Sequence, residues 1–439
     1  MGKIELDHTG SGSGITLSSD GTDLLLDGTA IGGGGGGADL YAAETTSSTD
    51  PTASGTRSIA IGSSASATDF QSVAIGESAT ASGRNSVSIG AGTTDNTNDY
   101  SVAVGYFSRS SGEDATALGR SSKADGLRST ALGYNADGNG SYSVAVGKGS
   151  LAYGSYSTSI GADTQAWYNY STALGHNSSG QYSRADAAGS VALNGSRTGG
   201  TDSLAAAITN NTSSYGATGS NSVAIGKNAK ALGNYSLAIG GYNSAAFGVA
   251  AVSIGGNQAN KAYGNASFCI GGYQAWNEAS DDNSFAMGEG AKSAVKGKLA
   301  YAGGRFSSIG DAQGGQFILR ADTTDATATV LTTNNSSSGS TNQIVAASDT
   351  CITFDGTITA MQNGAQSYAS WKIEGLLVND GGTTTLSNSS TTVIQNSPSW
   401  GMTLSADNAN NALAITVTGE AAHNIRWVAN IRTSEVTYA

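Results

Sequence analysis

Three histidines, two cysteines and a few acidic pairs are the groups of this chain that could carry reaction chemistry. A metal or an acid–base site needs such groups close together at set spacings. His8, His176 and His423 stand far apart and none has metal spacing. Cys269 and Cys351 belong to no CxxC or Cys/His cluster, so no structural zinc is expected. Cys269 falls in Phe268-Cys269-Ile270-Gly271, where it serves as a small apolar residue. Glu113-Asp114 and Asp281-Asp282 are adjacent acids at predicted turns. Cleaving a polysaccharide would need two carboxylates flanking a sugar-sized groove, which a narrow coil does not offer. Gly32, Gly34 and Gly37 match a GxGxxG spacing, yet no βαβ pattern follows them. The expectation is therefore a protein that is no enzyme and holds no metal or cofactor.

What remains is recognition chemistry. Tyr134, Tyr142, Tyr153, Tyr156, Tyr168 and Tyr170, with Trp167, cluster near predicted corners. Exposed aromatics stack on sugar rings, and they also pack at subunit contacts. Both roles stay open at this point. Trp371, Trp400 and Trp427 fall within strand patterns and are assigned to a core. In the loops between the last strands, Tyr368, Asn379 and Asp380 are the candidate receptor-binding residues.

These side chains are positioned by a repeat. Val73-Ala74-Ile75-Gly76, Val87-Ser88-Ile89-Gly90, Thr116-Ala117-Leu118-Gly119 and Val144-Ala145-Val146-Gly147 are four of its copies. The glycines Gly62, Gly76, Gly90, Gly105, Gly119, Gly133, Gly147, Gly161 and Gly175 recur every 14 residues, with a single step of 15 after Gly90. They are assigned to tight turns, as are Gly226 and Gly240 farther on, and Asn194 takes the same place in one copy. A short fixed period means stacked coils. Within each copy the two bulky residues share one face of a strand and the small one takes the other. The three-residue strand is expected to supply bulky aliphatics to the coil, and the opposite strand the methyls of Ala65, Ala67, Ala79 and Ala81. So thin a coil is marginal alone, and its leftover apolar surface is expected to pack against copies of itself. The fold class is all-β: a parallel β-roll of 14-residue repeats, then a C-terminal β-sandwich or jelly-roll-like domain.

Composition agrees. The chain has 439 residues, 63 of them glycine and 2 proline, and regularly placed Val/Ile pairs argue against disorder. The net charge of −12 comes with no basic cluster, which excludes nucleic acid as a partner. No apolar run approaches the ~18 residues of a membrane span, so no membrane insertion is expected. The N-terminus shows no signal-peptide pattern, and the lack of a disulfide framework suits assembly in a reducing cytoplasm.

Three regions follow. Residues 1–37 hold strand-like runs at Ile15-Thr16-Leu17 and Leu24-Leu25-Leu26 and end in the Gly32–Gly37 hinge. Residues 38–310 hold the array, interrupted by an irregular insertion at 196–220. Residues 316–439 alternate polar and apolar at sandwich spacing. Asn85-Ser86-Val87-Ser88-Ile89-Gly90 and Asn221-Ser222-Val223-Ala224-Ile225-Gly226 resemble the head repeats of YadA-like trimeric adhesins. That resemblance implies a left-handed β-roll and a homotrimer. Leu319 to Thr327 and Leu413 to Glu420 are similar to C-terminal domains of phage tail-fibre proteins. Ile15 to Asp23 resembles structural proteins of marine and cyanobacterial phages.

The function implied is a virion tail fibre that adheres to the host surface. Its N-terminus would dock to the tail, baseplate or an adaptor, and its 316–439 tip would meet a host glycan or protein. The alternatives are a fragment of a bacterial trimeric surface adhesin and a polysaccharide-degrading tailspike.

Overall fold

The computed structural model describes residues 49–438 except 96–97, 176–179, 209–213, 257–259, 272–275, 365–366 and 397–399, together with the backbone of four short strands near the N-terminus. Those four, Ile4–Leu6, Ile15–Ser19, Leu24–Leu26 and Thr29–Ala30, form an antiparallel sheet in chain order. The Gly32–Gly37 hinge and His8 lie outside the described residues. The chain divides into two compact units, Met1–Gly175 and His176–Ala439.

Among the described residues the protein is all-β, and each unit carries coils of parallel β-solenoid, about 17 turns in all. In the first unit a typical coil contributes one strand of three residues and one of two, such as Val73–Ile75 and Thr80–Ala81, while the coil of Val87–Ile89 has a single bridge at Thr94 in place of the short strand. Equivalent residues pair coil to coil in exact register: Thr116 with Thr130, Ala117 with Ala131, Leu118 with Leu132.

The inside of the coil overturns one expectation. Ala74, Ala103, Ala117, Ala131, Ala145 and Ala173 face inward, fully buried against Ala67, Ala81, Ala124, Ala152 and Ala166 of the short strands. The bulky aliphatics face out. Both walls of the coil supply methyls, because a 14-residue loop closes too tightly to enclose two branched side chains. Serine completes the lining at the corners: Ser86 Oγ donates to the Gly83 carbonyl at 2.7 Å, and Ser58 Oγ to that of Gly55 at 2.7 Å.

The 15-residue step has a visible device. Asp95 occupies the inward position of its coil, and its carboxylate accepts from the backbone N–H groups of Ser82 at 2.6 Å and Gly83 at 2.9 Å. It thereby satisfies donors that the displaced ladder leaves open.

The listed turn glycines share one geometry. Gly62, Gly76, Gly90, Gly105, Gly119, Gly133, Gly147, Gly161 and Gly226 have φ between 113° and 136°, and Gly175 has 68°. Gly240 sits at the equivalent corner, with its φ outside the left-handed region. Space is what asks for glycine there, because a Cβ would sit 2.7 Å from the Gly255 carbonyl oxygen. A second column was legible in the same period but not singled out. At Gly112, Gly126, Gly140 and Gly154 a Cβ would overlap a backbone carbonyl of the next coil.

Gly133 combines both constraints, with φ 136° and the Gly147 oxygen 2.6 Å from a would-be Cβ. Gly133→Ala is expected to cost about 3 kcal/mol. Asn135→Gly, at a corner already holding φ 56°, should stay within about 1 kcal/mol. Denaturant unfolding of the two variants beside the parent checks this pair.

In the second unit the described part of the insertion expected at 196–220 belongs to the solenoid. Leu204–Ala206 pairs in parallel with Val191–Leu193 on one side and Val223–Ile225 on the other. Its signature was obscured because Ala206 replaces the second aliphatic and Ala207, at φ 56°, stands where glycine usually does. Asn194 adopts φ 53° in the same role one coil earlier.

The coil strand Leu299–Gly303 then pairs antiparallel with Ala312–Thr323 and opens a second architecture. One sheet runs Leu299–Gly303, Ala312–Thr323, Ile425–Thr437, Thr350–Gln362, Tyr368–Asp380, Thr383–Asn396. A smaller sheet centres on Ala412–Thr418, bordered by Gly401–Asp407 on one side and by Thr329–Val330 and Ile344–Val345 on the other. The two sheets share one core of Phe317, Phe354, Trp371, Ile415, Val417 and Trp427, which makes a sandwich. Strict alternation carries it: Ile425, Trp427, Ala429 and Ile431 are buried between exposed neighbours. Trp400 and Trp371 pack at 5.6 and 5.8 Å from Trp427, whose indole N–H donates to Thr323 Oγ1 at 2.9 Å.

Candidate interaction surfaces

The outward faces of the three-residue strands form two apolar stripes. Ile89, Leu118, Leu132 and Ile160, one above the other, are 36% to 44% exposed in the single chain. Val73, Val87, Val102, Thr116, Thr130 and Val144 form the stripe beside them. In the second unit Val223, Leu237, Val252, Phe268 and Phe285 stack likewise, the two phenylalanines with centroids 4.6 Å apart. A contiguous apolar face of this kind marks an association surface.

The rod aromatics form ladders. Tyr142, Tyr156 and Tyr170 stack at 4.8 and 5.2 Å with interplanar angles of 1° and 6°. Tyr153 stacks on Trp167 at 4.8 Å. Tyr134 and Tyr168 belong to neither stack, and within each stack the facing ring surfaces cover one another. That geometry favours coil-to-coil packing over a sugar-stacking platform, which needs a free face. Beneath this ladder Tyr153 Oη lies 3.4 Å from Asp137 Oδ2. Burial pushes the Asp137 carboxyl above its usual range against the pull of Lys123, and burial followed by Asp137 pushes the Tyr153 phenol up.

The residues with catalytic potential are dispersed. Asp114 pairs with Arg128 at 3.1 Å, and Asp282 accepts from the Asn265 N–H at 2.9 Å while facing Lys296 at 3.4 Å. His423 lies 3.1 Å from Glu420, both exposed, and His176 falls outside the described residues. Cys269 is buried among the inward alanines, and burial pushes its thiol up to about 12. Among the described residues there is no cluster of three metal-ligating side chains and no helix long and apolar enough to cross a membrane, a statement that does not extend to strands.

The candidate receptor contacts do not form one site. Tyr368 and Asp380 are exposed at opposite ends of the same strand, roughly 40 Å apart at the rise of an extended chain. Asn379 is a correction. It is 1% exposed, and its Nδ2 donates to the Ala346 carbonyl at 2.8 Å, so it serves the sandwich interior and cannot touch a receptor. Its neighbours Asp380-Gly381 made a loop plausible, and strand alternation places its side chain inward.

Tyr368 does have company that sequence spacing could not show. It is opposite Met361, Met361 is opposite Arg426, and Arg426 is opposite Asp322, all on the outer face of the large sheet.

Comparison with known proteins agrees with the coils. The YadA head domain repeat matches residues 53–69, 70–93, 110–136, 139–164, 152–178 and 217–242, so the chain carries YadA head repeats. Repeats of this kind imply a trimeric, adhesin-like protein. No curated protein matches the chain. Among solved structures, the tailspike protein of Acinetobacter baumannii phage AM24 is similar over 92% of this chain and 76% of its own, at 8% identity and a TM-score of 0.17. A likeness that faint carries no argument.

Proposed function

We propose that three copies of this chain wind in parallel into a virion-borne fibre that adheres to a host cell surface by binding, without catalysis. The observation that carries the trimer is the inversion of the coil: small residues, mostly alanine and serine, line its interior, while Ile89, Leu118, Leu132 and Ile160 face out. A single chain that keeps its largest aliphatics outside has left their burial to a partner. The threefold number is supported by the YadA head repeats. The virion setting is supported by the likeness of residues 316–439 and of Ile15 to Asp23 to phage structural proteins. Residues 1–37 then dock to the tail, and the sandwich is the tip.

A bacterial surface adhesin is the second reading, favoured by the same head repeats. Electrophoresis in gentle detergent without boiling should give a species near three times 43.6 kDa that collapses on heating. A monomer under those conditions removes the trimer. Gold-labelled antibody to the tip, seen on tails of purified phage particles or on bacterial surfaces instead, separates the two settings.

A further inference from the structure

On the adhesin reading, we propose that the row Asp322–Arg426–Met361–Tyr368 at one end of the sandwich is a binding site for an acidic saccharide, a sugar bearing a carboxylate. The row crosses four neighbouring strands on the outer face, so at the usual strand spacing it is about 14 Å long. That length suits a short oligosaccharide.

Each member contributes a distinct chemistry. Arg426 Nε donates to Asp322 Oδ1 at 3.2 Å, and Asp322 is held from behind by Asn335, whose Nδ2 donates to Oδ2 at 2.9 Å. The guanidinium is thus aimed, while its side chain remains 88% exposed. Among the described residues its two terminal nitrogens have no hydrogen-bond partner, which leaves a planar fork for a carboxylate. Arg320, exposed two residues before Asp322 on the same face, adds a second positive charge beside that single acid.

Met361 and Tyr368 are 63% and 55% exposed and offer an apolar edge for the C–H face of a sugar ring. A cavity of about 560 Å³ opens at the row, lined by Asp322, Arg426 and Met361 with the amides of Gln362, Asn363 and Asn424. Amides that both donate and accept suit sugar hydroxyls. The chain carries −12 overall, so attraction of an anion here is local and depends on this arginine pair.

The test is calorimetric titration of the full chain with tetragalacturonate and with its fully methyl-esterified form, which keeps the sugar rings and removes the carboxylates. The free acid should bind at least tenfold more tightly than the ester. Arg426→Gln should lose at least tenfold, and Arg426→Lys, which keeps charge without the fork, should fall between. Tyr368→Ala should lose roughly tenfold for acid and ester alike. Failure of the acid to bind, equal binding of the ester, or an Arg426→Gln variant that binds as the parent overturns the site.

Adsorption of the native chain to intact cells is measured in parallel. If cells bind it and the acid does not, this inference fails and the adhesin reading stands. If the acid binds and no cells do, the site stands and the adhesin reading fails.

Discussion

Replacing Leu118 and Leu132 together by lysine is expected to convert the assembled protein to single chains without unwinding its coils. Both leucines point away from the coil interior, and the inward positions between their flanks are Ala117 and Ala131. The backbone ladder does not involve their side chains: Gly133 N–H still donates to the Leu118 carbonyl at 2.8 Å, and Gly147 N–H to that of Leu132 at 2.8 Å.

Leu118 and Leu132 are 44% and 41% exposed in the single chain, so covering the rest of each contributes about 1 kcal/mol, and two per chain in a threefold assembly amount to on the order of 5 kcal/mol. Six ammonium groups placed in one apolar seam would add a desolvation cost on top. Sedimentation velocity should show the trimer replaced by monomer or by loose aggregates, with far-ultraviolet circular dichroism retaining its β signal. A variant that still sediments as a trimer would place the interface elsewhere.

The second large effect is expected where solenoid and sandwich join within the second unit. Lys298, at the corner before the last coil strand, pairs with Glu435 of the final strand at 2.6 Å, with side chains only 6% and 7% exposed. Gln313 Nε2 donates to the same carboxylate oxygen at 2.7 Å, and Thr433 Oγ1 donates to the other at 2.7 Å. The pair is therefore fully engaged, and its removal in halves is asymmetric. Glu435→Gln leaves a buried ammonium without a counter-charge and should cost about 3–5 kcal/mol.

Replacing both, Lys298→Met with Glu435→Leu, should recover most of that loss, since no uncompensated charge remains. Tryptophan fluorescence reports the transition well, because Trp371, Trp400 and Trp427 pack together in the adjoining core. If Glu435→Gln unfolds within 1 kcal/mol of the parent, the pair is not what locks the junction.

Much of the architecture is legible in the amino-acid sequence. A 14-residue period of small triplets and glycines announces stacked coils, because only a repeated unit keeps every ladder in register. Asn194 could be placed at a left-handed corner from its type alone, and the three C-terminal tryptophans could be placed in a core from strand alternation. The second glycine column was equally present in the period, as spacing alone marks Gly112, Gly126, Gly140 and Gly154.

Period alone could not say which face of the triplet points inward. Alternation puts Val and Ile together opposite Ala, and it is symmetric under exchange of inside and outside. Only the closed geometry of the coil, too narrow for two facing branched side chains, decided that alanine fills most of it and that the aliphatics wait outside for neighbours. The same holds for the tip. Asp322 and Arg426 are 104 positions apart and meet only because their strands pair antiparallel, and a shift of that register by one residue would turn the whole row to the opposite face. Composition and repeat determined that this protein is a stack of thin coils, while the tertiary structure decided what the coils hide and what they present.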